Sequence, residues 1–169
     1  EGKELNEIKL PTVGRAGFSG ERGQKECFYS FASFTVPGTI YQYDMAQNKS
    51  TVYTEPKVKF DLGKYTTEQV FFISKDGTHV PMFLTYRKGL KHNGKNPVLI
   101  YGYGGFNISL SPNFSSMRIP FLENGGIYVQ VNLRGGSEYG EEWHVAGTKM
   151  QKQKVFDDFI SAAEWLVTN

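Results

Sequence analysis

The sequence has 169 residues, with 19 Lys and Arg against 17 Asp and Glu, a formal net charge of +2 and 15% aromatic residues. This aromatic content can fill a core, which excludes global disorder, and the balanced charge argues against nucleic-acid binding by phosphate neutralisation. The single cysteine, Cys27, excludes an intrachain disulfide, and no apolar run reaches the roughly 20 residues of a membrane span.

The first part of the chain predicts short antiparallel strands. Alternating residues run over 27–36, where Cys27 is expected to be a buried strand residue, and again over 39–45. Turn-forming residues such as Val36-Pro37-Gly38 separate the strands. Four strands in about 55 residues is the size of one propeller blade, and one blade cannot bury both of its faces alone.

Strands and helices begin to alternate after Lys64. Asp76-Gly77 joins two alternating segments and predicts a hairpin over 69–87. Continuous apolar runs over 97–101 and 127–133 are typical of strands buried on both faces, and a crossover helix is predicted between them, over 115–124. The second part therefore indicates an α/β sheet.

The last helix is predicted over 154–168. Apolar residues recur at helical spacing and are expected on one face of it: Phe156, Ile160, Ala163 and Val167, with Phe159 and Leu166 beside them. Asp157 and Asp158 fall on the other side; adjacent helical residues point about 100° apart, so the two carboxylates predict a helix start rather than a converging acid pair. The basic residues within 149–154 predict a solvated stretch.

A glycine-rich turn, Gly102-Tyr103-Gly104-Gly105-Phe106, follows the first buried strand. In open α/β sheets ligands bind at this end of the strands. In α/β-hydrolases the loop after this strand supplies oxyanion-hole donors, commonly through a His-Gly-Gly segment, and Tyr103 stands in place of that histidine. A neutral phenol hydroxyl can donate to the same oxyanion. The alternative is a tight turn with a packed tyrosine, and the residues leave both interpretations open.

Other candidates for chemistry have simpler interpretations. Ser137 lies in a segment that approaches the Gly-x-Ser-x-Gly nucleophile elbow, but Tyr139 stands where the last glycine should be. His144 is expected to be a loop residue on a solvated rim. None of His79, His92 and His144 has the spacing of a metal ligand, so no metal or cofactor is expected.

Several separated motifs carry a resemblance. They are Tyr101-Gly102-Tyr103-Gly104-Gly105-Phe106 and its continuation to 109, the segment 132–144, the segment 156–159, and the hairpin turn 74–78. Together they resemble the prolyl oligopeptidase family, well over about residues 40–169 and loosely before that.

The resemblance implies a serine endopeptidase that cleaves short peptides after proline through an acyl-enzyme, in the cytoplasm or periplasm. Residues 1–60 would end a β-propeller, and residues 61–169 would form the N-terminal part of an α/β-hydrolase domain. Tyr103 would be the oxyanion donor and Phe106 an apolar wall of the proline pocket. The loop 134–140 would support the site, without a chemical role of its own.

In this family the nucleophile elbow follows the helix that closes this sequence, and the aspartate and histidine come later. The resemblance therefore implies an internal fragment that lacks the Ser, Asp and His triad and is inactive alone. Its unpaired strand edges, above all at 97–101, are expected to favour self-association. Proline-containing peptides are the expected partners, without nucleic acid or membrane. The alternatives are a noncatalytic β-rich binding module and an esterase or lipase on the same scaffold.

Overall fold

The structure is a computed structural model that describes residues 3, 4 and 6–169. The chain forms two compact units. The first contains the residues up to Gly63 together with Ser111–Ser116, and the second contains Lys64–Leu110 and Met117–Asn169. Each unit is built on one four-stranded sheet.

The first unit is an antiparallel meander. Its strands are β1 (Arg15–Ser19), β2 (Glu26–Ala32), β3 (Thr39–Asp44) and β4 (Lys49–Thr54), paired in chain order. Tyr29, Phe31 and Tyr43 form its buried core. The Tyr29 ring stacks on the Tyr41 ring, with the ring centroids 5.0 Å apart. The predicted series of short antiparallel strands is therefore confirmed.

The second strand is shorter than its alternating pattern predicts. The Ser33 hydroxyl accepts hydrogen bonds from the backbone N–H groups of Thr35, at 3.1 Å, and Val36, at 2.9 Å. A serine that caps the following backbone in this way favours a turn over a continued strand, so β2 ends at Ala32. The expectation that Cys27 is buried is wrong, because Cys27 is a half-buried free thiol on β2.

The second unit is a mixed sheet with helices. Its strands are β5 (Tyr65–Ile73), β6 (His79–Arg87), β7 (Val98–Gly102) and β8 (Ile127–Val131), and its helices are α1 (Ile119–Glu123), α2 (Gly140–Val145) and α3 (Gln153–Thr168). The strand order is β5-β6-β8-β7, with β7 and β8 parallel and the other pairs antiparallel. This confirms the α/β class. No helix in the described part of the chain combines the length and apolar character needed to cross a membrane.

The two apolar runs differ in burial. Every residue of β8 is buried, as predicted, because β8 lies between β6 and β7. The prediction that 97–101 is buried on both faces is wrong: β7 is an edge strand, and Val98, Leu99 and Tyr101 are exposed.

The predicted face of the last helix is only partly right. Phe159 and Leu166 pack against the core, but Phe156, Ile160 and Val167 are exposed. Asp158 and Ala162 belong to the buried side of α3. The buried stripe is rotated because the Asp158 carboxylate pairs with a buried arginine, whose contacts belong to the site.

Candidate active site

The turn after β7 has a backbone that only particular residues can adopt. Gly104 has φ +60°, and a Cβ on it would lie 2.5 Å from Val155 Cγ1 and 2.8 Å from the Arg134 carbonyl oxygen. Phe106 and Asn107 follow with φ 53° and 58°, in the left-handed region that costs about 1–2 kcal/mol for residues other than glycine. Such backbone strain is concentrated at functional sites.

Tyr103 and Phe106 lie together on this turn. Their rings are stacked, with centroids 6.4 Å apart and planes inclined by 28°. Tyr103 is 43% exposed and Phe106 is 84% exposed. Within the described part of the chain, no hydrogen bond occupies the Tyr103 hydroxyl. The structure thus places a free phenol donor beside a flat apolar ring.

The turn rests on the loop that follows β8. The Asn107 backbone N–H donates to the Gly135 carbonyl at 3.2 Å, and the Ser137 hydroxyl donates to the Asn107 carbonyl at 2.8 Å. Gly135 has φ +92°, and a Cβ on it would lie 2.7 Å from the Gly104 carbonyl oxygen. Both glycines are needed because the two backbones pass so close to each other.

A lysine from the start of α3 also holds the turn. Lys152 Nζ donates to the Gly104 carbonyl at 2.6 Å, and the Lys152 side chain is half-buried. The prediction of a solvated basic stretch over 149–154 is therefore wrong at Lys152. The structural reason is that Gly104 is buried, and a buried backbone carbonyl needs a hydrogen-bond donor, which Lys152 provides.

Further along, hydrogen bonds attach the chain that leaves the turn to the segment that follows β8. The Leu110 N–H donates to Glu138 Oε1 at 2.9 Å, and the Leu110 carbonyl accepts from Asn132 Nδ2 at 2.9 Å. Asn132 Nδ2 also donates to Glu138 Oε1, at 3.0 Å. The segment between Phe106 and Leu110 is thus held at both of its ends.

A buried ion-pair network lies beneath the loop. The Arg134 side chain is 4% exposed and that of Asp158 is 0% exposed, with Nη2 to Oδ1 at 2.5 Å and Nε to Oδ2 at 2.9 Å. Arg134 Nη1 also donates to Asp76 Oδ2 at 2.6 Å, and the Ser74 hydroxyl donates to Asp158 Oδ1 at 2.6 Å. The network, here called the Arg134 cluster, joins Arg134, Asp158, Asp76 and Ser74.

Hydrogen bonds shift the pKa values of two members of the Arg134 cluster, Asp76 and Arg134. Hydrogen bonds from Arg134 hold the pKa of Asp76 well below its ordinary value of 3.8. Hydrogen bonds to Asp158 raise the pKa of Arg134 further above its usual range. The guanidinium and the Asp76 carboxylate therefore stay charged at neutral pH.

The Arg134 cluster is not evident from the sequence pattern. The prediction that Asp157 and Asp158 mark a helix start is wrong for both, because α3 begins at Gln153 and has no acidic residue in its first turn. The polar-side prediction is also wrong for Asp158, because both of its oxygens are bonded in the interior. Its neighbour Asp157 fits the surface prediction and accepts from Gln153 Nε2 at 3.1 Å. The signal that could have revealed the cluster is that Asp76, Arg134 and Asp158 each lie inside one of the resembling motifs.

The remaining candidates have structural contacts. His144 lies on α2 rather than in a loop, and its Nδ1 is 2.8 Å from the Gly135 carbonyl oxygen. The Ser137 hydroxyl bonds the Asn107 carbonyl and lies 2.8 Å from Ser109 Oγ, and neither group is a base that could activate a nucleophile. Across the described residues, no group of three or more His, Cys, Asp or Glu side chains is placed to hold a metal ion.

Comparison with known proteins gives the same family for both parts of the chain. A family model described as the N-terminal β-propeller domain of prolyl oligopeptidase matches residues 1–56, and one described as the prolyl oligopeptidase family matches residues 112–169. The order, propeller strands before hydrolase sheet, is the order expected from the sequence.

Curated relatives match along nearly the whole chain. It is 54% identical over 169 residues to a prolyl endopeptidase of Elizabethkingia meningoseptica, covering 99% of this chain and 24% of the relative. It is 42% identical over 170 residues to a prolyl endopeptidase of Dictyostelium discoideum, covering 98% of this chain and 22% of the relative. The chain thus spans about a quarter of the length of these relatives.

Solved structures agree with these matches. A prolyl endopeptidase structure is similar with a TM-score of 0.89 at 47% identity, over 98% of this chain and 25% of that one. Prolyl oligopeptidase B from Galerina marginata, bound to a 35-residue hydrolysis and macrocyclisation substrate, is similar with a TM-score of 0.90 at 37% identity, over 98% of this chain and 24% of that one. The resemblance drawn from the motifs is confirmed.

Proposed function

We propose, from the premise that this chain belongs to the prolyl oligopeptidase family, that the protein carrying it is a serine peptidase that cleaves short peptides on the carboxyl side of proline. The observation that carries the proposal is the phenol of Tyr103, held by a strained turn at the carboxyl end of β7. Relatives bearing the name prolyl endopeptidase support the specificity.

Tyr103 is proposed to act as the oxyanion donor. When a serine hydroxyl attacks a peptide carbonyl, the carbon becomes tetrahedral and its oxygen gains negative charge. A donor already in place stabilises that charge without reorganising at the moment of reaction. Tyr103 is 43% exposed, and its hydroxyl carries no internal hydrogen bond among the described residues, so it is available to that oxygen.

Phe106 is proposed to form one wall of the proline pocket. A pyrrolidine ring has no donor to satisfy, so a flat apolar surface suits it. Phe106 is 84% exposed, and its ring lies 6.4 Å from that of Tyr103. In a substrate the proline ring and the attacked carbonyl belong to the same residue. The wall that contacts the ring and the donor that binds the carbonyl oxygen must therefore be neighbours, as Phe106 and Tyr103 are.

The domain division is proposed to follow the family. Residues 1–60 would end a β-propeller, and residues 61–169 would form the N-terminal part of an α/β-hydrolase domain. The division into compact units between Gly63 and Lys64 supports this assignment.

The exposed residues of edge strand β7 support a further proposal, that the 169-residue chain by itself associates through strand edges. Light scattering that finds a dilute monomer would contradict this.

Two matched substrates test the peptidase proposal on the full chain that contains this sequence. We expect a Gly-Pro coumarin amide to be cleaved with a kcat/KM at least about tenfold above that of the Gly-Ala amide, since the alanine fills less of an apolar pocket. A serine-reactive phosphonate should abolish both reactions. Equal cleavage of the two amides, or hydrolysis of simple esters alone, would contradict the proposal and favour an esterase.

A pair of phenylalanine variants tests the pocket wall. Phe106→Ala should lower the preference for Gly-Pro, because the pyrrolidine loses apolar contact area. Phe71→Ala is the control, since Phe71 is an exposed phenylalanine on β5 and should leave the preference unchanged. The same loss of preference in both variants would remove Phe106 from the site.

A further inference from the structure

We infer that Arg134 is a positioning residue for the oxyanion donor: its guanidinium fixes the loop on which the Tyr103 turn rests. This inference depends on the role proposed for Tyr103 and adds a residue that does not touch the substrate. Two observations support it. The Arg134 side chain is buried and hydrogen-bonded to two carboxylates, and the backbone of the next residue, Gly135, bonds the Tyr103 turn.

The guanidinium is held from two sides. Nε and Nη2 form a two-point contact with Asp158, at 2.9 and 2.5 Å, and Nη1 and Nη2 form a second one with Asp76, at 2.6 and 3.2 Å. Nη1 also donates to Thr78 Oγ1 at 3.1 Å. A planar fork with five donors can meet two carboxylates at once, which a lysine ammonium cannot reproduce.

The Arg134 cluster is internal, which separates positioning from direct catalysis. Asp158 is 0% exposed, and its oxygens accept from the Ser74 hydroxyl and from Arg134. A carboxylate so fully bonded and buried is neither an accessible base nor a substrate contact. The cluster instead joins three parts of the second unit: the β5–β6 turn, the loop after β8, and α3.

The backbone at Arg134 connects the buried guanidinium to the turn that carries Tyr103. The Arg134 N–H donates to Asp158 Oδ2 at 3.3 Å, so main chain and side chain are tied to one carboxylate. The next carbonyl, that of Gly135, accepts the Asn107 N–H at 3.2 Å. The preceding residue, Phe106, has φ 53°, a conformation that persists in a phenylalanine only where surrounding contacts impose it. Loosening Arg134 therefore lets the turn relax and displaces the Tyr103 hydroxyl.

A double-mutant cycle on the full chain that contains this sequence tests the inference. Arg134→Lys keeps the charge but removes the fork, and it should lower kcat for a Gly-Pro amide by about 10- to 100-fold, as expected for a catalytic group misplaced by about 1 Å. KM should rise as well, because Phe106 lies on the same turn, so kcat at saturating substrate is the quantity that reports on the Tyr103 hydroxyl. In the Tyr103→Phe background, Arg134→Lys should lower kcat by less than about threefold further.

Independent effects would overturn the inference. If Arg134→Lys lowers kcat by the same factor with and without the Tyr103 hydroxyl, Arg134 acts on the enzyme in general and not through Tyr103. The control is Arg87→Lys, whose exposed partner Glu123 lies 3.7 Å away, and it should leave kcat unchanged. Should Arg134→Lys not fold, Asp76→Asn is the milder variant, since Asp76 is 37% exposed, and the same cycle applies with a smaller factor.

Hydrogen exchange separates this inference from the proposed function. If Tyr103→Phe alone leaves kcat unchanged, the proposed role of Tyr103 fails. The exchange rate of the Asn107 amide then still reports whether Arg134 holds the turn. Arg134→Lys should speed that exchange at least about tenfold relative to Arg87→Lys, because local opening becomes easier. An unchanged Asn107 rate would overturn the inference, whatever the kinetics show.

Discussion

Replacing Asp158 by alanine measures how strongly the second unit depends on one buried carboxylate. Asp158 is 0% exposed and accepts hydrogen bonds from the Ser74 hydroxyl and from Nε and Nη2 of Arg134. Asp158→Ala leaves the guanidinium buried, with Asp76 as its one remaining carboxylate partner among the described residues. The variant also leaves the Ser74 hydroxyl without its acceptor.

Breaking a buried ion pair by removing one partner costs about 3–5 kcal/mol. Because Asp76 still compensates part of the charge on Arg134, we expect the lower end, about 3 kcal/mol. Asp157→Ala is the matched control, since Asp157 is the preceding residue on the same helix and its bond to Gln153 is at the surface. Surface changes of that kind stay within about 0.5 kcal/mol.

Urea unfolding of the 169-residue chain provides the assay, because Trp143 and Trp165 are its only two tryptophans and both lie in the second unit. With a urea dependence of about 1–3 kcal/mol per molar, a destabilisation of about 3 kcal/mol lowers the midpoint by about 1–3 M. Equal midpoints for Asp158→Ala and Asp157→Ala would refute the energetic role of the buried pair.

Two further perturbations test the turn and the charge network. Gly104→Ala should destabilise by more than about 2 kcal/mol because its Cβ would lie 2.5 Å from Val155 Cγ1. Gly94→Ala, with φ +73° and nothing within 4 Å, should cost only about 1 kcal/mol; equal thermal shifts would contradict the close approach. Acidification should also destabilise: because Arg134 lowers the Asp76 pKa below 3.8, the unfolded state binds more protons as the pH falls below about 4. In Asp76→Asn the urea midpoint should therefore fall less between about pH 5 and about pH 3 than in the wild type. If the midpoint falls as steeply in Asp76→Asn as in the wild type, the Asp76 carboxylate is not the source of the acid sensitivity.

Local signals predicted much of the second unit. The Asp76-Gly77 pair predicted the hairpin. β6 has the predicted limits, His79–Arg87, whereas β5 (Tyr65–Ile73) begins before the predicted residue 69. The apolar run in β8 predicted its complete burial. The hairpin prediction succeeds because a turn depends mainly on residues close in sequence. The same apolar pattern failed for β7, because the position of a strand in the sheet depends on long-range pairing.

Long-range pairing explains what the sequence could not predict. The spacing of apolar residues in α3 favoured Phe156 and Ile160 as buried residues, but both are exposed. Asp158 is buried instead, because it forms an ion pair with Arg134, which is distant in sequence. Lys152 is a similar case, because its acceptor is the carbonyl of Gly104 on a remote turn. Hydrophobic periodicity describes a helix in isolation and carries no information on such partners.

The most direct test of the account is the kcat of Tyr103→Phe in the full chain that contains this sequence, measured with a Gly-Pro amide. Removal of one oxyanion donor should lower kcat by about 10²–10³, with little change in KM. Tyr53→Phe, an exposed tyrosine on β4 in the first unit, serves as the control and should retain full activity. A Tyr103→Phe enzyme as active as Tyr53→Phe would contradict the central claim that the turn after β7 presents the oxyanion donor.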